Sequence, residues 1–131
     1  MRNAHHVIQA SSVPYHKTKG TGPALRRAFE ESGYQSVSFQ EYHADFPHVK
    51  YTVGFAGRPG GPDFYVSTVD NSRNHGPGGQ SGYADPTEAD PCFGKVVEGF
   101  DAVDRMHSMP VKPGWYNAME ENVGIAYAKI L

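Results

Sequence analysis

Several short stretches of the chain show either alternating apolar and polar residues or a run of apolar and β-branched residues, patterns typical of β-strands. Three of these stretches are His6–Ala10, Lys50–Phe55 and Phe64–Thr68, and the last two carry the aromatic and β-branched residues that strands favour. A fourth strand is predicted at Phe93–Val97, and the alternation of Val123–Leu131 predicts a strand that closes the fold. The pattern therefore predicts a mainly β domain.

Two helices are predicted where apolar residues recur at spacings of three and four. One lies near Pro23–Ser32, with proline at its first position and a glycine after its end. The other covers Gly99–Ser108, where Phe100, Val103 and Met106 form one apolar stripe. These helices add to the β-strands and do not change the fold class.

The loops of this sequence are rich in glycine and proline. Residues 57–62 hold three glycines and two prolines between two predicted strands, so they turn the backbone tightly, as in a hairpin connection. A longer irregular segment covers Val69–Pro91, and such long loops are usually functional or mobile. A short strand is also predicted near Ser36–Phe39.

The composition limits the class of protein. A chain of 131 residues predicts a single domain, residues 1–131, with a core of its own. The net charge of −2 gives no electrostatic attraction to nucleic acid, and no apolar run is long enough for a membrane span. The single cysteine, Cys92, excludes an internal disulfide, which fits a reducing compartment such as the cytoplasm or an organelle interior.

Two blocks of the sequence resemble the cyclophilin-type peptidyl-prolyl isomerases. Phe93–Gly99, with the sequence FGKVVEG, is similar to the family's Phe-Gly-Lys-Val-x-Glu-Gly strand, which runs into a helix. Phe55–Gly57 and Asp63–Tyr65 stand where the family has an Ala-Asn-Ala-Gly loop and a Gln-Phe-Phe strand. The resemblance implies a cyclophilin-like β-barrel with two helices and activity on Xaa-Pro bonds of protein substrates.

The resemblance also implies a site. Prolyl isomerisation needs no nucleophile, metal or cofactor, because the barrier comes from amide resonance and is lowered by a hydrogen-bond donor and an apolar slot. Arg2 and Gln9 stand near the places of the family's catalytic arginine and glutamine, although Arg2 is one residue too close to Gln9. The implied substrate-binding residues are Val7, Gly54, Phe55, Tyr65, Tyr83 and Asp90.

Several of these positions depart from the family and leave a second function open. Gly54 and Phe55 replace an Ala-Asn pair that holds the substrate peptide, and Asp90 replaces a histidine. Tyr65 replaces a phenylalanine, which is tolerated if its hydroxyl reaches water. The alternative is an inactive cyclophilin-like binding or structural module within a larger protein assembly. In that case Gln9 and Tyr65 are structural residues only.

The seven histidines do not predict a metal site. They show no HExxH spacing and no cysteine partner, and metal ligands usually show local spacing. Cys92 and the serines lack a triad arrangement, and the Gly-rich segment at 76–79 is not followed by the Lys-Ser/Thr of a phosphate loop. The expected partner is a proline-containing peptide or protein, without metal, cofactor or nucleic acid.

Members of the family have two strands and a helix before the strand that matches His6–Ala10. The sequence therefore predicts an amino-terminally incomplete barrel in which His6–Ala10 is an exposed edge. Unpaired edges attract other strands, so association with another chain through this edge is expected.

Overall fold

The computed structural model describes residues 1–11, 27, 30–35, 42–56, 63–79, 88–114 and 117–130. This part of the chain is mainly β, as the sequence pattern predicts, and contains a five-stranded sheet and a helix. The strands are β1 (Arg2–Ala4), β2 (Val7–Ser11), β3 (Thr52–Phe55), β4 (Asp63–Ser67) and β5 (Cys92–Lys95). The helix, α1, is Phe100–Ser108.

All neighbouring strands of the sheet are antiparallel, in the order β1-β2-β4-β3-β5. The central strand β4 pairs with β2 on one side and with β3 on the other. The register between β3 and β5 shifts by one residue between Val53 and Gly54. Within the described residues the sheet is open and does not close into a barrel.

The prediction that His6–Ala10 forms an exposed edge is wrong. Strand β2 pairs with β4 on one side and with β1 on the other, so it lies inside the sheet. The outer side of β1 is itself partly covered. The backbone amide of Asn3 donates to the backbone carbonyl of Asn117 at 2.8 Å, and Arg2 forms an antiparallel β-bridge with Ala118. The turn at His5 and His6 lets the first residues of the chain fold back and pair with β2.

The sheet is packed on both faces. On the face that meets α1, Ile8 packs with Val103 and Met119. These three residues are 4%, 6% and 3% exposed, respectively. On the opposite face Val7 packs with Ala4 and Tyr65. The two sets alternate along the strands, because successive side chains of a strand point to opposite faces. The face that carries Val7 and Tyr65 is the one that holds most of the predicted site.

The second predicted helix is confirmed. Gly99 precedes it with φ of 76°, a left-handed conformation that suits glycine. Its carboxyl end is held by Asn3 of β1, whose side-chain amide donates to the carbonyl oxygens of His107 at 2.6 Å and Met109 at 3.2 Å. Asn3 thereby pairs carbonyl groups that the helix itself leaves unpaired.

Other predicted elements have different outcomes. The helix near Pro23–Ser32 falls largely outside the described residues, and the strand near Ser36–Phe39 falls wholly outside them. The prediction of a closing strand at Val123–Leu131 is wrong for the described part of this range, since residues 123–130 contain no strand. Tyr127 and Ile130 are 84% and 97% exposed in this segment. An alternating pattern forms a strand only beside a partner strand, and the described residues place none here. No described helix has the length and apolar character needed to cross a bilayer.

Candidate functional site

One row of residues crosses four strands of the sheet and joins four of the predicted site residues. Arg2 of β1 is opposite Gln9 of β2, Gln9 is opposite Tyr65 of β4, and Tyr65 is opposite Gly54 of β3. Directly opposed residues lie on the same face of a sheet. Val7 lies two residues from Gln9 and so shares that face.

The Arg2 side chain is exposed and is oriented by its neighbours. Its Nη1 donates to Oε1 of Gln9 at 3.2 Å, and Nε2 of Gln9 donates to Oδ2 of Asp63 at 3.2 Å. A guanidinium has five N–H donors, so Arg2 keeps donors for a ligand after its bond to Gln9. The Asp63 carboxylate fixes which end of the Gln9 amide faces Arg2.

Tyr65 leans across the sheet toward β3. A Cβ atom placed on Gly54 would lie 2.5 Å from Oη and 2.6 Å from Cζ of Tyr65, so the end of the ring passes directly over that glycine. The condition under which a tyrosine would be tolerated in the slot, a hydroxyl that reaches water, is not met, because Tyr65 is 2% exposed. Its Oη instead lies 3.2 Å from Oδ2 of Asp90 and 3.3 Å from Nδ1 of His48.

A buried polar network surrounds this hydroxyl. Oδ2 of Asp90 also lies 2.5 Å from Nδ1 of His75, and Nε2 of His48 donates to the Asp90 carbonyl oxygen at 2.7 Å. We assign the proton of His48 to Nε2, because a carbonyl oxygen only accepts hydrogen bonds. His48, His75 and Asp90 are 0%, 5% and 4% exposed. Buried polar groups that are paired in this way stabilise one arrangement of the loops that carry them.

Two histidines of this region, His6 and His48, have lowered pKa values. Burial, followed by the charges of His75, His5 and Arg2, lowers the pKa of His6 from 6.5 to about 4. Burial also lowers the pKa of His48, although its bond to the Asp90 backbone opposes this shift. Both shifts favour the neutral imidazole in the folded protein.

We therefore expect the free energy of unfolding to fall as the pH is lowered from about 6.5 toward about 4. Over this range the unfolded chain binds protons that the folded chain excludes, so the contribution of His6 is complete above 6.5 and is lost on acidification. Urea unfolding at several pH values measures the effect. A His6→Gln variant should show a shallower decline, while His43→Gln, at an exposed histidine, should follow the wild type. Equal declines in the wild type and His6→Gln would contradict the assignment.

Not every predicted site residue joins the row. Phe55 lies on the opposite face from Gly54, where its ring stacks on Phe93 with 4.2 Å between centroids. Asp90 is buried behind Tyr65 and does not line an open surface. Tyr83 lies outside the described residues.

Sequence reasoning did not name His48, His75 or Asp63 as site residues. The first two lie in irregular segments, where no periodicity shows which side chains meet. A signal was nevertheless present at Tyr65 and Asp90, two positions where the sequence differs from the cyclophilin pattern. A hydroxyl and a carboxylate at these two positions are able to form a buried hydrogen bond with each other, and they do so here.

The described residues contain no group of three or more histidine, cysteine, aspartate or glutamate side chains arranged to hold a metal ion. Comparison of the whole chain with models of known protein families gives no match, and a search among curated proteins gives none either.

Proposed function

We propose that this domain is a peptidyl-prolyl isomerase of the cyclophilin type that acts on Xaa-Pro bonds of protein substrates. The observation that carries the proposal is the Arg2–Gln9 pair, an exposed guanidinium held by an amide in adjacent positions of two paired strands. The Phe93–Gly99 motif and its helix, α1, add support, because they have the order expected from the family.

The chemistry requires only donors and a fitted surface. Rotation about the Xaa-Pro bond has a barrier of roughly 18–20 kcal/mol, since it removes the conjugation of the amide. In the twisted state the proline nitrogen carries a localised lone pair, and an N–H of Arg2 that donates to it favours that state over the planar one. Gln9 limits the directions in which the Arg2 side chain points, because it accepts from Nη1.

We further propose that the open sheet is part of a cyclophilin-like barrel. Both ends of the described sheet are compatible with continuation. Strand β5 pairs with β3 on its inner side, and the backbone of β1 already bonds to Asn117 beyond it. A closed barrel would leave neither strand as an edge.

A second candidate function is peptide binding without turnover. It is favoured by the burial of Val7 and Tyr65, which are 5% and 2% exposed and therefore offer little apolar surface to a proline ring. In this case the exposed Arg2 and the partly exposed Gln9 would hold a peptide through its carbonyl groups, and no slot would select the twisted amide.

The Arg2→Ala variant tests the proposed function. We expect kcat/KM for a proline-containing peptide to fall by about tenfold to a hundredfold, because a charged hydrogen bond contributes roughly 1.5–3 kcal/mol. A protease-coupled isomerase assay, or NMR exchange between the cis and trans peptide, gives the rate. The matched control is Arg105→Ala, which removes an exposed helical arginine that pairs with Asp101.

The outcomes separate the two candidates. Isomerisation that is lost in Arg2→Ala and kept in Arg105→Ala supports the enzyme. A folded wild-type domain that binds the peptide in an Arg2-dependent way but does not accelerate its isomerisation supports the binding module. A wild-type domain with neither property contradicts both.

A further inference from the structure

The ring of Tyr65 has two cross-strand neighbours on its face of the sheet, and it leans toward only one of them. Gln9 lies opposite Tyr65 on β2 and Gly54 lies opposite on β3. The ring end passes over Gly54, where the absence of a Cβ atom leaves room for it. Arg2 and Gln9 are thereby left with exposed surface on the other side.

We propose that His48 and Asp90 are positioning residues, which hold the Tyr65 ring over Gly54 and keep it clear of the Arg2–Gln9 pair. The kinetic consequences of this inference rest on the proposed function, whereas its structural part does not. Asp90, which the family resemblance placed among the residues that bind substrate, acts in this arrangement from behind the peptide-binding face.

The hydrogen bonds explain how the ring is held. Nε2 of His48 donates to the Asp90 backbone, so Nδ1 of the neutral imidazole accepts. The single O–H of Tyr65 thus lies within reach of two acceptors, Nδ1 of His48 at 3.3 Å and Oδ2 of Asp90 at 3.2 Å, and donates to one of them at a time. The His48 ring lies on the same side of the hydroxyl as Gly54, since its Cε1 would be 2.9 Å from a Cβ atom at that position.

The anchors are themselves fixed by separate segments of the chain. Oδ2 of Asp90 lies 2.5 Å from Nδ1 of His75. The backbone amide of Asp90 donates to the carbonyl oxygen of His75 at 3.0 Å. The His48 carbonyl accepts from the backbone amide of Asn71 at 2.7 Å. The hydroxyl is therefore bound to groups that do not move independently, which limits rotation of the Tyr65 side chain.

Release of the ring would affect the peptide-binding face directly. Cross-strand neighbours have Cβ atoms about 5 Å apart, so a tyrosine that rotates away from Gly54 reaches the space next to Gln9. A ring in that space would obstruct a peptide but leave the Arg2 donors intact. The expected effect is therefore on peptide affinity and not on the rate of the bound complex.

The test uses Tyr65→Phe, which keeps the ring and removes its anchor, and Asp90→Asn, which weakens the anchor. We expect each to raise KM by roughly three- to tenfold, as a lost hydrogen bond of ordinary strength would, with kcat within about twofold of wild type. The KM of the double variant should be no higher than that of Tyr65→Phe alone, because both changes break the same contact between Tyr65 and Asp90. Asp101→Asn, at an exposed carboxylate of α1, is the control.

Unchanged KM in folded Tyr65→Phe and Asp90→Asn, additive effects in the double variant, or a fall in kcat like that of Arg2→Ala would each overturn the proposal. If the wild type shows no isomerisation and no peptide binding, the proposed function fails. The positioning of Tyr65 is then decided by NMR alone.

That measurement uses protein labelled with 13C at the tyrosine Cζ and 15N in the histidine rings. In Asp90→Asn the Tyr65 Cζ resonance should shift and in Asp101→Asn it should stay in place, while Tyr65→Phe should shift His48 Nδ1. If Asp90→Asn does not fold, the His48 signal in Tyr65→Phe decides. Resonances that do not move would overturn the positioning role, whatever the activity.

Discussion

Replacement of Asn3 by aspartate is expected to lower the free energy of unfolding by roughly 3–5 kcal/mol. Asn3 is buried, with 8% of the residue exposed. Its side-chain amide nitrogen lies 2.6 Å from the carbonyl oxygen of His107, 3.2 Å from that of Met109 and 3.4 Å from that of Met106. In aspartate a charged oxygen replaces this donor and faces the acceptors. The negative end of the α1 dipole adds to the repulsion.

Urea unfolding at neutral pH measures the loss, and Asn74→Asp provides a control that makes the same chemical change at an exposed residue. The penalty of Asn3→Asp should shrink at acidic pH, where a protonated carboxyl regains one donor for the helix carbonyls. Equal midpoints for the wild type and Asn3→Asp would show that Asn3 does not hold the end of α1.

The Gly54→Ala substitution is expected to lower the free energy of unfolding by about 1–3 kcal/mol, the usual cost of inserting a methyl group into a packed region. The new Cβ atom would lie 2.5 Å from Oη of Tyr65 and 2.9 Å from Cε1 of His48. Both groups are buried and hydrogen-bonded, so neither moves without breaking its own contacts. The loss should appear as a lower unfolding midpoint with an unchanged denaturant slope.

Gly94→Ala is the matched control, because it makes the same change on the neighbouring strand β5. There the added Cβ atom meets only the Cβ of Val53 at 3.8 Å, an ordinary contact. We expect its stability to lie within about 0.5 kcal/mol of the wild type. Similar losses in both variants would assign the effect to glycine in strands generally and not to the Tyr65 contact.

The strands and α1 were predictable from the sequence wherever the pattern was local. Strands were predicted from the alternation at Lys50–Phe55 and the strand-like run at Phe64–Thr68, and a helix from the spacing at Gly99–Ser108. Each element lies close to its predicted bounds. Strand β1 was not predicted, since Arg2–Ala4 carries no alternating apolar pattern and is a strand because β2 pairs with it. The opposite error at Val123–Leu131 has the same origin, because alternation alone does not supply a partner.

The candidate site was named from the family resemblance, and its geometry was not predictable from the sequence. The family resemblance singled out Arg2, Gln9 and Tyr65, but their placement in one row depends on the register of three strands, which the hydrophobic pattern does not specify. The contacts of Tyr65 and Asp90 with His48 were not predicted either. No pattern relates His48 to either residue, because long-range contacts between loops leave no periodic trace in a sequence.

The Asn3 contact with α1 also has a consequence for how the chain folds as it is made. Asn3 and His107 are 104 positions apart, so at roughly 5–20 residues per second the ribosome completes the partner about 5–20 s after Asn3 itself. During that interval β1 and β2 are available as a hairpin, which forms within microseconds, but the donor of Asn3 has no helix end to bind. A translational pause before residue 107 would prolong the time during which this hairpin is exposed to chaperones or to other nascent chains.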